Sequence, residues 1–207
     1  MKWLSFFLFP VSLFASFQVW NTDNLSIRFA RKFYLTGETE FRYGERKTKL
    51  YYKHYQGGIL YTYSPYTLFQ IGYRQVYQRI NQKWQEQYNP LFDLTLQIAN
   101  RRGLHISDRN RLQYQISNQS PNRWLYRNRF EIVFPFRLFR NFTPFLADEF
   151  FWLETRGINE NRLEGGFKIP YHQKTQLNLS YICRLLKNPQ KDWTHQNVFR
   201  IHFFLYF

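Results

Sequence analysis

Five histidines, one cysteine and a set of carboxylates are the residues of this chain that could carry chemistry. Nucleophilic catalysis needs a serine or cysteine within hydrogen-bond reach of a histidine. The best local pair is Ser107 with His105, two residues apart and therefore on one face of a strand. Same-face neighbours along a strand stand about 7 Å apart, too far for a direct bond. His54 and His202 fall on polar faces as His105 does, whereas His172 and His195 sit at a turn and a strand entry. Glu38 and Glu40 form a carboxylate pair at the same spacing, but arginines surround them, which suits an ionic network better than proton transfer. Cys183 stands in a strand with no partner, as a small buried or lipid-facing residue. No metal-ligand spacing, P-loop or G-x-S-x-G element occurs. Catalytic, cofactor-binding and metal-binding residues are therefore not assigned, no cofactor is expected, and an enzyme is the less favoured reading.

What recurs instead is arginine with glutamate at a period of two. With alternate residues on opposite faces, Glu38, Glu40 and Arg42 oppose Phe33, Leu35 and Tyr43, while Gln70, Arg74 and Gln78 oppose Phe69, Ile71, Tyr73 and Tyr77. His105, Arg109, Arg111 and Gln113 oppose Leu104, Ile106, Leu112 and Tyr114. Arg123, Arg127, Arg129 and Glu131 oppose Trp124, Tyr126, Phe130 and Ile132, and Arg162, Glu164 and Lys168 oppose Leu163, Phe167 and Ile169. At the end, Arg200, His202, Phe204 and Tyr206 oppose Phe199, Ile201, Phe203, Leu205 and Phe207. The pattern slips at Ala147-Asp148-Glu149, which predicts a bulge there, with Glu149 on the charged face.

The elements that position these faces are extended. Segments can be placed near 16–28, 33–43, 48–63, 68–80, 91–99, 104–116, 123–136, 142–155, 162–171, 175–186 and 193–207, separated by stretches rich in Asn, Gly, Pro and charge. Pro65, Pro90, Pro121 and Pro189 are expected in the breaks, and Pro135 and Pro144 near strand ends. Most segments are longer than the about five or six residues usual in soluble sheets, and suit strands that cross a membrane. Aromatics make up 22% of residues although mean hydropathy is only −0.57. That combination fits strands that alternate lipid-facing apolar and lumen-facing polar residues, with aromatic girdles. The count is eleven, and bacterial barrels normally have an even number. A turn signal at Asn21-Thr22-Asp23-Asn24 would split the first segment and give about twelve strands; ten result if that segment is not in the wall. The fold class is all-β, an up-and-down antiparallel transmembrane β-barrel.

Residues 1–15 have an early lysine, an apolar run and a small-residue step at Ala15-Ser16, the layout of a signal peptide. Residues 16–207 then form one outer-membrane β-barrel domain of an exported chain. One cysteine excludes an intrachain disulfide, and no later apolar run is long enough for a membrane helix. The net charge of +15 would suggest nucleic acid in a cytosolic protein. Here no nucleic-acid motif appears, and the expected partners are outer-membrane lipids and lipopolysaccharide. If the C-terminus is periplasmic, the longer breaks lie outside.

In a barrel of this size the polar face turns into a narrow lumen. The expected lumen-facing ionic network is Glu38, Glu40, Arg42, Arg74, Arg109, Arg111, Arg127, Arg129, Glu131, Glu149, Arg162, Glu164, Arg200 and His202. Buried charges must pair, because one left alone costs several kcal/mol. The network either fills and stiffens the barrel or, with carboxylates too few for the arginines, forms a constriction that prefers anions.

FQVW at 17–20, WLYRNRFEI at 124–132, TPFLADEFF at 143–151 and NRLEGGFK at 161–168 together resemble an uncharacterised family of exported bacterial proteins, a domain of unknown function thought to form outer-membrane barrels. RNRLQYQI at 109–116 departs from it, with glutamine where the family tends to have arginine. The resemblance implies the fold and the location and brings no catalytic residues. Phe199, Ile201, Phe203, Leu205 and Phe207 also resemble the C-terminal signature of outer-membrane barrels, which implies the barrel-assembly machinery as a partner during biogenesis. The leading reading is a structural or narrow-channel barrel. The alternatives are a lipid-modifying barrel enzyme, marked by a serine–histidine contact near the outer rim, and a soluble periplasmic lipid-binding barrel, with its aromatic face turned inward.

Overall fold

The computed structural model describes residues 17–44, 49–101, 103–138, 141–188 and 192–207. The signal peptide expected at 1–15, and Pro189, lie outside the described residues. Eleven strands are described. The first six are β1 (Phe17–Ala30), β2 (Phe33–Gly44), β3 (Lys49–Ser64), β4 (Thr67–Ile80), β5 (Lys83–Arg101) and β6 (Leu104–Ser117). The remainder are β7 (Ser120–Val133), β8 (Thr143–Leu153), β9 (Gly157–His172), β10 (Thr175–Lys187) and β11 (Trp193–Tyr206). Each strand pairs antiparallel with the next, and β1 pairs with β11 to close the barrel. The fold is the all-β up-and-down barrel expected, and its strand number falls between ten and twelve.

Eleven strands require that one seam be parallel, and β1 runs alongside β11 from Phe17↔Asn197 to Ser26↔Tyr206. The turn signal at 21–24 does not split β1. Asn21 Nδ2 donates to Asp23 Oδ2 at 3.1 Å along the same face, so these side chains bond to each other and the backbone stays in both ladders. Pro90 and Pro121 lie inside β5 and β7, not in breaks. The register of β5 against β6 runs through Tyr88↔Ile116 and Leu91↔Gln113, with no pair at Pro90, which has no N–H to give. The bulge expected at 147–149 is also absent. Phe145, Ala147, Glu149, Phe151 and Leu153 alternate cleanly into the interior, and the irregularity against β9 falls between Phe151 and Trp152.

Most turns are tight. Asn81 (φ 49°) and Gln82 (φ 64°) are both left-handed, the backbone of a type I′ hairpin, whose twist matches that of its strands. The length asymmetry expected between the two rims holds only in part. β5 and β9 extend into what read as breaks at 81–90 and 156–161, and the long 134–142 connection lies on the rim expected to carry short ones. Large apolar side chains such as Leu35, Ile71, Tyr73, Leu146 and Leu163 point outward and are exposed. Inside, Trp20, Ile182 and Val198 form one small apolar cluster and Leu125, Phe151 and Leu153 another. Most of the remaining buried side chains are polar or charged.

Candidate functional site

The interior is built by alternation. Because every second residue of a strand faces inward, β1 contributes Gln18, Trp20, Thr22 and Asn24, and β2 contributes Glu38, Glu40 and Arg42. Trp20 is fully buried, and guanidinium groups stack over its ring: Arg42 at 3.8 Å, Arg162 at 4.9 Å and Arg184 at 5.4 Å. Arg42 lies also 4.0 Å over Tyr52. Arg162 and Arg127 lie 4.3 and 4.6 Å over Phe151. Two aromatic plates thus hold a layer of arginines in the middle of the barrel.

Each lumenal carboxylate serves one or more cations. Asp93 takes Arg111 through both oxygens, each at 2.6 Å. Glu40 pairs with Arg42 at 2.6 Å and accepts from the Thr22 hydroxyl at 3.0 Å. Glu38 pairs with Arg74 and His54, both at 2.8 Å. The others are shared. Glu149 lies 3.1 Å from Arg109, 2.8 Å from Arg127 and 3.5 Å from Arg162. Glu160 takes Arg162 at 2.5 Å and Arg184 at 2.7 Å. Glu131 takes Arg129 at 3.0 Å and Lys168 at 2.5 Å. Glu164 takes Arg129 at 2.7 Å and also Arg200. Sharing leaves positive charge in excess, and the Nε groups of Arg109, Arg127 and Arg200 are buried without a partner among the described residues.

Two cavities adjoin this layer. One, of about 340 Å³, is lined by Arg109, Arg129, Lys168, Arg200, His202 and Phe204 among others. Another, of about 430 Å³, lies toward Gln18, Gln115 and Gln196. Arg42, Arg74, Arg127 and Arg162 line both, so the guanidinium layer is the partition between them.

All fourteen of the charged and histidine positions singled out from sequence line the first cavity except Glu164, which is buried behind it against Arg129, Ser180 and Arg200. Phe199, Ile201, Phe203 and Leu205 stand on the opposite, outer face of β11. Phe207 follows the strand, donating its N–H to Ser26 O at 2.8 Å and accepting from Arg28 N at 2.7 Å. Sequence reasoning missed Asp93, Glu160, Arg184 and Trp20. Asp93 and Glu160 fall at or beside the stretches read as breaks, where continuing the period of two would have reached them. Cys183, expected to be alone, has His195 Nε2 3.0 Å from its sulfur. The other bonded histidines reach Tyr52, Glu38 and Asn24, so among the described residues no histidine is hydrogen-bonded to a serine.

A closed up-and-down barrel with a charged interior and an apolar exterior has the build of the transmembrane β-barrels. A solved structure titled as a NanC porin in a rhombohedral crystal form shares the fold, with a TM-score of 0.52 over 88% of this chain and 90% of that one, at 12% identity. By sequence the chain belongs to the family described as a protein of unknown function, DUF2490, whose model matches residues 17–195. No curated protein matches the chain.

Proposed function

We propose that this chain is an outer-membrane β-barrel that forms a narrow channel with a preference for anions. The observation that carries the reading is carboxylate sharing: four lumenal acids each serve two or more cations, Glu131 and Glu149 of them on the wall of the 340 Å³ cavity, which leaves the partition positively biased. Electrostatic rings at a constriction set the sign of ion that passes. The signal-peptide layout of residues 1–15, the outward apolar belt and the porin-like fold support an outer-membrane location. Lipids and lipopolysaccharide would surround the belt, and the barrel-assembly machinery would read Phe199, Ile201, Phe203, Leu205 and Phe207. The outward aromatic face counts against the soluble lipid-binding alternative, which needs that face inside.

One further observation favours a purely structural role: Trp20 and its stacked guanidinium groups fill the partition. Single-barrel recordings in planar bilayers decide between the two. A small conductance whose reversal potential in a KCl gradient follows chloride is the expected result. A barrel that inserts and stays silent leaves the structural role.

A further inference from the structure

The apolar belt is interrupted most broadly on one side, beyond the single Asn21–Asp23 pair on the outer face of β1. On the outer faces of β6 to β9, Asp108, Asn110, Tyr126, Asn128, Asp148 and Asn161 form polar clusters near the middle of the wall. Asn128 Nδ2 donates to Asp108 Oδ1 at 2.5 Å and to Asn110 Oδ1 at 3.1 Å. Asn110 Nδ2 donates to Asp108 Oδ2 at 3.0 Å, and the Tyr126 hydroxyl donates to Asn110 Oδ1. Asn161 Nδ2 donates to Asp148 Oδ1 at 2.8 Å. Exposed apolar side chains stand around them: Leu112, Phe130, Leu146, Trp152 and Leu163.

These groups face away from the lumen and take no part in its ion pairs. Lipid tails offer no hydrogen bonds, and ionisable side chains at membrane depth are costly and in need of a partner. The internal bonds do not exhaust the clusters. Among the described residues, Asp148 Oδ2 and the Oδ1 atoms of Asn128 and Asn161 lack donors, and Asn110 and Asn161 each keep an amide N–H unused. Donors and acceptors open on the same patch are what a two-fold contact requires, since each copy then supplies what the other lacks. A head-to-tail contact would set the amides against the opposite wall of β1 to β3, where Leu25, Leu35 and Ile59 point outward and the Asn21 amide is already bonded to Asp23.

We propose that the outer face of β6 to β9 is the contact surface between two copies of this chain, paired about a two-fold axis inside the membrane. The pairing rests on the barrel's standing in a membrane. Phe150, opposite Asn128 and Asn161 in the ladders, lies at the centre of the patch.

The test is cross-linking of the full chain in native outer membranes, in a Cys183→Ser background. A thiol at Phe150→Cys should be captured as a dimer by a short bis-maleimide, and a thiol at Ile71→Cys on the far wall should not. Replacing Asp108, Asn128 and Asp148 together by leucine should lower capture at Phe150→Cys at least ten-fold while heat-modifiable gel mobility is kept. Equal capture at both positions, capture of a different protein, or no capture from a folded membrane barrel overturns the proposal. Undiminished capture in the leucine variant also overturns it; if that variant does not fold, the comparison of the two thiols still decides. Recovery of the chain from the soluble periplasmic fraction would instead refute the membrane reading.

Discussion

Glu149→Gln is the substitution that probes the lumen most directly. The side chain is 3% exposed and is the carboxylate nearest to Arg109 and Arg127, at 3.1 and 2.8 Å, while Arg162 keeps Glu160 at 2.5 Å. Each close pair is worth about 4 kcal/mol gross at an effective dielectric near 20. Desolvation of the carboxylate and repulsion among the guanidinium groups offset most of that, and removing one partner from a buried network leaves a cost of about 3–5 kcal/mol. For a domain of this size each kcal/mol lowers the unfolding midpoint by about 2–4 °C. The gel-mobility transition on heating should therefore fall by roughly 6–20 °C. Glu131→Gln is the comparison, because Glu131 is more exposed and Arg129 retains Glu164, although Lys168 loses its carboxylate; its effect should stay at about 1–2 kcal/mol, since water partly screens the pair. An equally small effect at Glu149 would refute the reasoning, since it would mean that water already screens the arginines at that height.

Trp20→Ala should cost about 3–5 kcal/mol through the void it leaves, and the same variant should raise single-barrel conductance because its ring supports the Arg42 and Arg162 stack; unchanged conductance would count against the partition. Gln82→Gly should raise the heat-modification midpoint, by about 1 kcal/mol in stability, by relieving a left-handed backbone at φ 64°. Gly166→Ala should block assembly, because its Cβ would lie 2.3 Å from Leu179 O; normal folding yield would show that the β9–β10 ladder can part. Deleting Phe207 removes two backbone bonds of the closing seam and should lower the amount of barrel in the membrane, and an unaffected amount would argue against both its roles.

The strands were legible wherever one face meets an oily phase and the other a polar one, because that contrast is written into alternate residues. Phe199 to Tyr206 and Trp124 to Ile132 separate this way, and their bounds agree with β11 and β7 to within a few residues. The signal fades where both faces are polar. That is why 83–90 and 157–161 read as breaks although β5 and β9 run through them, and why Glu160 went unseen. Trp20 was readable as a strand residue but not as an inward one, since Gln18 and Thr22 on the same face mark that face as polar. The pairing pattern within the lumen was not legible at all. Arg109 of β6 reaches Glu149 of β8 across an intervening strand, and such contacts depend on barrel curvature, not on local spacing.

The parallel seam decides at which mouths the first strand starts and the last one ends. A membrane barrel with an even number of strands brings its chain back to the compartment it left; one with eleven would start its first strand and end its last in different compartments. Phe17 sits level with Asn197 and Ser26 with Tyr206, so the strand that opens the barrel departs from the mouth at which the last strand begins. On the outer-membrane reading proposed above, with the Phe207 end toward the periplasm, β1 would begin at the mouth that faces the cell exterior. On that reading an epitope carried just ahead of Phe17 would be open to antibody on intact cells, and one appended after Phe207 would stay hidden until the outer membrane is breached.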